Sequence, residues 1–294
     1  MNHPVAMIPY TNMAPFRALG PPDGCRFVPL VPRESIVALC RKQVIAAAVP
    51  VGGLAAVADL TDFLGQFGIA AAKRSMSVLF FSDRPLAEMG AGTRIHLTTE
   101  SASSIRLLFL VLGYRNGFDN LPQLAKPDER SNGELLIGDA ALMRMRDRRG
   151  GVPAVNGTLC SGAHVTDLAS EWHAVHHLPF VFARWVVRKD APFSARQALE
   201  KWLSEFKIRE QALVQQAAPD AARRIGVTAS EIRAYFQVIR RTLDESDLAG
   251  QAKFLSEYDR HFGDDAVCSY WAAPDSEFRP VTKKRAFGYT ALQK

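Results

Sequence analysis

Short apolar runs alternate with amphipathic stretches along the first two thirds of the chain. Residues 5–10 and 26–30 are apolar runs of strand length, and residues 44–49 form another, closed by Pro50. Between the last two, Pro32-Arg33-Glu34-Ser35 opens a helix: proline suits the first turn, and Glu34 suits the positive end of the dipole. Ile36, Leu39 and Cys40 are spaced for one buried face. This strand–helix–strand order implies a parallel, right-handed crossover. A second helix is expected over residues 54–67, ended by Gly68, and a strand over 77–81.

Asp83-Arg84-Pro85 reads as a break and Gly90-Ala91-Gly92 as a turn. A second unit follows: a strand at 94–97, a loop at 98–101, an apolar helix at 102–112, a polar stretch at 116–132 and a buried strand at 134–137. Residues 150–163 are glycine-rich and read as loop. Asp167 is placed to cap a helix over 167–177, and 180–187 is again a strand. From Ser194 the pattern turns helical. Residues 197–217 form a long amphipathic stretch. Thr228-Ala229-Ser230-Glu231 is a capping box ahead of another helix, and 248–262 is the last. The tail from Asp264 has no clear period, and no internal repeat is visible.

The chain has 294 residues, with 36 Lys+Arg against 30 Asp+Glu, a net charge of +6. With 48% hydrophobic and 22% charged residues it is a core-forming globular chain, and its length suggests roughly two domains. No apolar run reaches the ~20 residues of a membrane-spanning helix, and the N-terminus lacks the pattern of a secretory signal. Cys25, Cys40, Cys160 and Cys268 are scattered, which fits a reduced, cytoplasmic chain without a disulfide or zinc framework. The basic clusters at Arg144, Arg146, Arg148 and Arg149 and at Lys283, Lys284 and Arg285 read as solvated charge. No aromatic interleaving turns them into a nucleic-acid surface. A weak positive field that draws in a small anion is the other reading.

Candidate chemistry gathers at one end of the predicted strands. Tyr10, Thr11 and Asn12 follow the first strand; Gly52 and Gly53 follow the strand at 44–49; Ser101, Ser103 and Ser104 start a helix; Gly138 and Asp139 follow the strand at 134–137. Ligands of open α/β sheets sit outside such carboxyl ends, and two units would place the crevice between lobes. Hydroxyls and N–H groups at a helix start suit a carboxylate, although capping alone also explains those serines. His173, His176 and His177 have helical spacing but lack a metal-binding pattern such as H-E-x-x-H. No G-x-S-x-G, G-x-x-x-x-G-K-[ST] or G-x-G-x-x-G occurs, which removes the hydrolase, NTPase and dinucleotide readings.

Five segments in order carry a resemblance. Tyr10-Thr11-Asn12-Met13-Ala14-Pro15-Phe16 resembles Y-L-N-x-x-P-L. Ser77-Val78-Leu79-Phe80-Phe81-Ser82-Asp83-Arg84-Pro85-Leu86 resembles S-V-x-L-x-S-x-x-P-L. Ser101-Ala102-Ser103-Ser104 resembles S-R-T-S, and Leu136-Ile137-Gly138-Asp139-Ala140-Ala141-Leu142 resembles L-I-G-D-x-A-L. The stretch from Asp167-Leu168 through Trp172 to Leu178-Pro179-Phe180-Val181-Phe182-Ala183-Arg184-Trp185 resembles D-L-x-x-x-W and L-P-F-V-F-A-x-W. Together they are similar to the menaquinone-biosynthesis family of the futalosine route, and nearest to its chorismate dehydratase branch. Ala102, Ser103 and Thr11 depart from that pattern, which has Arg, Thr and Leu there.

The resemblance implies an α/β, two-lobed fold like the type II periplasmic binding proteins, with a cleft between lobes and C-terminal helices. The implied lobes are residues 1–87 with 186–294, and residues 88–185. The implied substrate is a small anion, chorismate or a similar carboxylate, dehydrated to 3-[(1-carboxyvinyl)oxy]benzoate without a cofactor or metal, and without nucleic-acid or membrane partners. Asn12 and Ser103 are the implied catalytic residues. Tyr10, Thr11, Gly52, Ser101, Ser104, Gly138 and Asp139 are the implied substrate-binding ones. Two other readings stay open. One is the sibling lyase or another paralogue acting on a different carboxylate, for which His164 is the candidate base; the other is a non-catalytic small-anion binding protein.

Overall fold

The computed structural model describes residues 2–263 apart from 127, 151–159 and 161. The tail after Gly263, with Cys268 and the Lys283–Arg285 cluster, and most of the glycine-rich stretch at 150–163 lie outside the described residues.

The first strands run parallel as their order predicts, although the two that flank the predicted helix at 32–40 are not neighbours. β1 (His3–Met7) lies parallel to β2 (Cys25–Pro29) and to β3 (Ala46–Pro50). Helix α1 (Ala14–Ala18) and helix α2 (Pro32–Cys40) fill the connections. Pro32 is in the first turn of α2, and the Glu34 side chain reaches back to accept the Val31 N–H at 3.2 Å. The stretch after β3 overturns the expected helix at 54–67. It is a 3-10 turn, Val51–Val57, followed by an eleven-residue strand, β4 (Thr61–Ala71). Its apolar spacing mimics a helical period, but Thr61, Phe63, Phe67 and Ile69 favour a strand. The long-range ladder then decides: β4 pairs antiparallel with β10 (Phe180–Arg188) and with β11 (Ile239–Thr242).

These strands form a six-stranded sheet in the order β11-β4-β10-β3-β1-β2. The second sheet has five strands: β7 (Gln123–Leu124), β6 (Arg94–His96), β8 (Gly133–Ile137), β5 (Val78–Ser82) and β9 (His164–Asp167), adjacent in that order. Helices α3 (Ser103–Asn116), α4 (Gly138–Arg149) and α5 (Leu168–His176) cover it. The chain therefore crosses into the second sheet between Ala71 and Val78 and returns between His176 and Phe180. The expected lobe boundaries at 87 and 186 need correction. Val78–Ser82 belongs to the second sheet because it pairs with β8 and β9. All of β10 belongs to the first sheet because it pairs with β3 and β4. A chain break such as Asp83-Arg84-Pro85 marks a turn, not which sheet a strand joins.

The crossing strands β5 and β10 are buried almost throughout, as expected of strands covered on both faces. Phe180, Val181 and Val186 join one apolar cluster with Phe80, Leu108, Leu135, Trp172 and Phe254, which spans both lobes. Trp185 and Val187 join a second, with Phe16, Trp202 and Phe206. The long helix α6 (Phe193–Ile225) runs through Pro219, past the end expected at Ala217. The buried positions Ala217, Ala218, Ala221, Ala222 and Ile225 continue its apolar face beyond the proline. Helix α7 (Ala229–Val238) begins with the predicted capping box at Thr228 and Glu231. Helix α8 (Glu245–Phe262) returns to the second lobe: the Tyr114 hydroxyl donates to Glu257 Oε2 at 3.0 Å, and the Phe118 ring stacks on His261.

Candidate active site

The carboxyl ends of β1, β3 and β8 and the start of β5 face one cavity of about 50 Å³. Tyr10 and Asn12 follow β1, and Pro50 closes β3. Ser101 and Ser104 stand at the entrance to α3, Gly138 opens α4, and Phe182 and Ala183 lie in mid-β10. Five predicted residues from three separated segments (Tyr10, Asn12, Ser101, Ser104 and Gly138) thus share one wall. Ser77 and Val78, which open one of the resembling motifs but are not among the expected site residues, line it too, as do Ile69 and Ile239, which no sequence signal singles out. The lining side chains carry no formal charge. The first N–H of α4 is spent inside the protein, Gly138 donating to the Ser77 carbonyl at 2.7 Å, which leaves the start of α3 as the positive helix end beside the cavity.

Asn12 sits in a three-residue 3-10 turn, Thr11–Met13. Its side-chain Oδ1 is buried and has no hydrogen-bond partner. A buried acceptor left empty costs about 1–3 kcal/mol, a cost that a ligand hydroxyl or N–H removes. The serine pair is internally satisfied: Ser101 Oγ donates to Ser104 Oγ at 3.0 Å and accepts the Ser104 N–H at 3.1 Å. Gly138 has φ +56°, and a Cβ there would lie 2.8 Å from the Tyr10 ring, so the phenol packs on bare backbone.

Across the cleft the Tyr10 hydroxyl donates to Glu100 Oε2. Burial, then this hydrogen bond and the negative charge of Glu100, push the Tyr10 phenol far above its usual range, so it remains protonated. Glu100 immediately precedes Ser101, yet nothing in the sequence pattern ties it to Tyr10, ninety residues away.

Four predicted binding or catalytic residues lie behind the wall instead of on it. Ser103, expected to be catalytic, is not among the lining residues. Its hydroxyl donates to the Phe182 carbonyl at 2.9 Å and accepts the Gly52 N–H at 3.0 Å. Gly52 is likewise off the wall, and a Cβ there would meet the Ala102 carbonyl at 3.0 Å. Ser103 and Gly52 are thus a close seam between lobes. Asp139 spends both oxygens on protein: Oδ1 accepts the Thr11 N–H at 2.7 Å, and Oδ2 pairs with Arg224 at 2.9 Å. Thr11 is fully buried, its hydroxyl accepting from Arg224 at 2.8 Å, and it does not line the cavity either.

His164 pairs with Ser82 at the end of β9 remote from Val78, and it is exposed. The cleft end of that sheet is the Val78 end, so His164 is not placed as the base of a sibling lyase. His176 interacts with the Tyr114 hydroxyl at 3.2 Å. The arginines of α4, read as solvated charge, have partners: Arg146 donates to the Ile225 carbonyl at 2.5 Å, Arg148 to the Gly162 carbonyl, and Arg149 pairs with Glu231 at 3.2 Å. Arg144 lies over the Phe81 ring.

The division of serines is testable. Ser103→Ala is expected to cost about 1–2 kcal/mol of stability through the lost seam while leaving ligand affinity within a few-fold. Ser104→Asp places a carboxylate on the cavity wall and is expected to weaken a bound carboxylate about tenfold or more. Calorimetric melting and titration of both variants check this, and the reverse ranking of affinities would contradict it.

The architecture is that of the periplasmic-binding-protein fold. The chain superposes on protein AF1704 of Archaeoglobus fulgidus with a TM-score of 0.60 at 14% identity, over 87% of this chain and 96% of that one. The aliphatic sulphonate binding protein SsuA of Escherichia coli gives 0.55 at 12% identity, over 90% and 94%. A Candida albicans protein described as exhibiting the generic periplasmic binding protein structural fold gives 0.53 at 13%, over 88% and 90%. The sequence profile for menaquinone biosynthesis matches residues 4–260. A chorismate dehydratase of Thermus thermophilus is 31% identical over 255 residues, covering 83% of this chain and 91% of its own. The chain belongs to the menaquinone-biosynthesis family. Among the described residues, no helix is long and apolar enough to cross a membrane.

Proposed function

We propose that this protein is a carbon–oxygen lyase that removes water from chorismate, giving 3-[(1-carboxyvinyl)oxy]benzoate for menaquinone biosynthesis. The observation that carries the reading is the buried, unpartnered Asn12 oxygen on the cavity wall, in a chain of this family similar to a chorismate dehydratase over most of its length.

In the elimination, the ring carbon bearing the enolpyruvyl ether loses its proton. That C–H electron pair becomes the third ring double bond. The neighbouring C–O bond breaks, the hydroxyl leaves with its electron pair, and it takes up a proton to become water. Aromatisation drives the reaction, so the protein's tasks are orientation and proton management. The Asn12 Nδ2–H donates to the departing hydroxyl oxygen or to a carboxylate, while the unpartnered Oδ1 accepts from a substrate hydroxyl. An amide is no base near neutral pH, and the lining residues offer no His, Asp or Glu. The proton therefore passes to a carboxylate of the substrate and on to the leaving oxygen. The helix entrance at Ser101 and Ser104 holds one carboxylate, and Tyr10, locked to Glu100, fixes one wall against the ring.

A cavity of about 50 Å³ has room for only a few waters, so binding the substrate requires the lobes to part from the arrangement seen here. The test is incubation of the purified protein with chorismate, followed by chromatography and mass measurement. A product lighter than chorismate by the mass of one water, with the ultraviolet spectrum of an aryl ether, is the expected result. Recovery of unchanged chorismate at high protein concentration would defeat the reading.

A further inference from the structure

The turn that carries Asn12 is completed by the opposite lobe. Thr11–Met13 has no side-chain cap of its own. Three outside groups hold it. Arg241, buried in the first lobe, donates from Nε to the Asn12 carbonyl at 3.1 Å. Arg224, at the end of α6, donates to Thr11 Oγ1 at 2.8 Å and to the Pro9 carbonyl at 2.9 Å. Both belong to the same lobe as the turn. The third is Asp139, in the first turn of α4 on the other lobe, with one oxygen on the Thr11 N–H at 2.7 Å and the other on Arg224 at 2.9 Å. The rest of α4 rides on the same end of the first lobe, through Arg146 to the Ile225 carbonyl and Arg149 to Glu231.

We infer that Asp139 is a positioning residue that couples closure of the cleft to the orientation of Asn12. With the lobes apart, the Thr11 N–H and Arg224 lose their shared acceptor and the turn is held on one side only. When α4 docks, the carboxylate takes both donors and the Asn12 side chain is set against the cavity. Asp139 thus does not bind substrate; it reports, through the Thr11 N–H, that the cleft is shut. This role rests on the proposed function for what Asn12 does to the substrate. The coupling itself is a property of the closed fold.

The experiment pairs hydrogen exchange with kinetics in wild type, Asp139→Ala and Asp139→Asn. In Asp139→Ala, exchange of the peptide covering Thr11 and Asn12 is expected to quicken about tenfold, with peptides from β1 and β10 unchanged. Its kcat on chorismate is expected to fall about 10- to 100-fold, since small misplacement of an orienting group has effects of that size, with KM moving less than about threefold. Asp139→Asn keeps an oxygen for the Thr11 N–H and is expected to recover most of kcat and of the protection. Wild-type exchange at Thr11 in the Ala variant would overturn the inference. So would equal losses in both variants accompanied by a matching drop in melting temperature, because they would mark a purely structural role. If wild type does not turn over chorismate, the functional reading fails on its own, and the exchange comparison still decides the coupling.

Discussion

Asn12→Ala is expected to lower turnover of chorismate by about 10²–10³, the usual effect of removing one oriented transition-state hydrogen bond, while the protein melts where wild type does. The expectation of unchanged stability comes from the structure. The Asn12 oxygen has no protein partner to lose, and the turn is anchored through backbone atoms and Thr11, by Arg241, Arg224 and Asp139. Truncation at Cβ leaves all of those bonds in place. Asn12→Asp should reduce kcat by a similar factor and also raise KM, because a carboxylate on an uncharged wall repels an anionic substrate. Steady-state rates with both variants, alongside calorimetric melting, test this. Wild-type turnover in both variants would remove Asn12 from the reaction.

Asp167→Ala is expected to be the most destabilising single exchange considered, at about 3 kcal/mol. As a helix cap, Asp167 Oδ1 accepts the Ala169 N–H at 3.0 Å and the Ser170 N–H at 3.3 Å, a role worth about 1 kcal/mol. The same carboxylate also grips the segment that crosses between lobes: it accepts the Ser75 N–H at 2.9 Å, the Ser75 hydroxyl at 3.1 Å and the Met76 N–H at 2.7 Å. Hydrogen bonds to a charged acceptor contribute about 1.5–3 kcal/mol. Met76 is one of three described non-glycine residues with positive φ, at +60°, a conformation that persists only where its surroundings hold it. A loss of that size corresponds to a melting temperature lower by roughly 6–12 °C in a chain of this length. Asp167→Asn keeps an acceptor for some of these donors and should fall between the two. A shift under about 2 °C in the Ala variant would show that the crossing segment is held by other contacts.

Asp167 also shows how far the sequence reaches. Its position before an amphipathic run identified the cap, because capping is a relation among residues two or three apart. Its hold on Ser75 and Met76 spans some ninety residues and leaves no local trace. The same division holds at the site. Tyr10, Asn12, Ser101, Ser104 and Gly138 were recognisable because each follows a strand that its own apolar pattern reveals. Ser77 and Ile239 reach the wall only through the pairing of β5 and β11, and Glu100 meets Tyr10 only across the cleft.

The sequence by itself determined the alternation of strands and helices, the caps at Asp167 and Thr228, the family resemblance and the segments from which the site is built. These depend on periodicity and on contacts between near neighbours. Only the tertiary structure decided that residues 61–71 are a strand, since β10 and β11 supply its ladder against a spacing that also suits a helix. It alone assigned Val78–Ser82 and all of Phe180–Arg188 to their sheets. It also sorted the candidates, turning Asn12 and Ser104 to the cavity and Ser103, Gly52 and Asp139 to the seams between lobes. The physical reason is that which neighbour satisfies a hydroxyl or a carboxylate depends on where remote segments come to rest, and that placement is settled by burial and pairing over the whole chain.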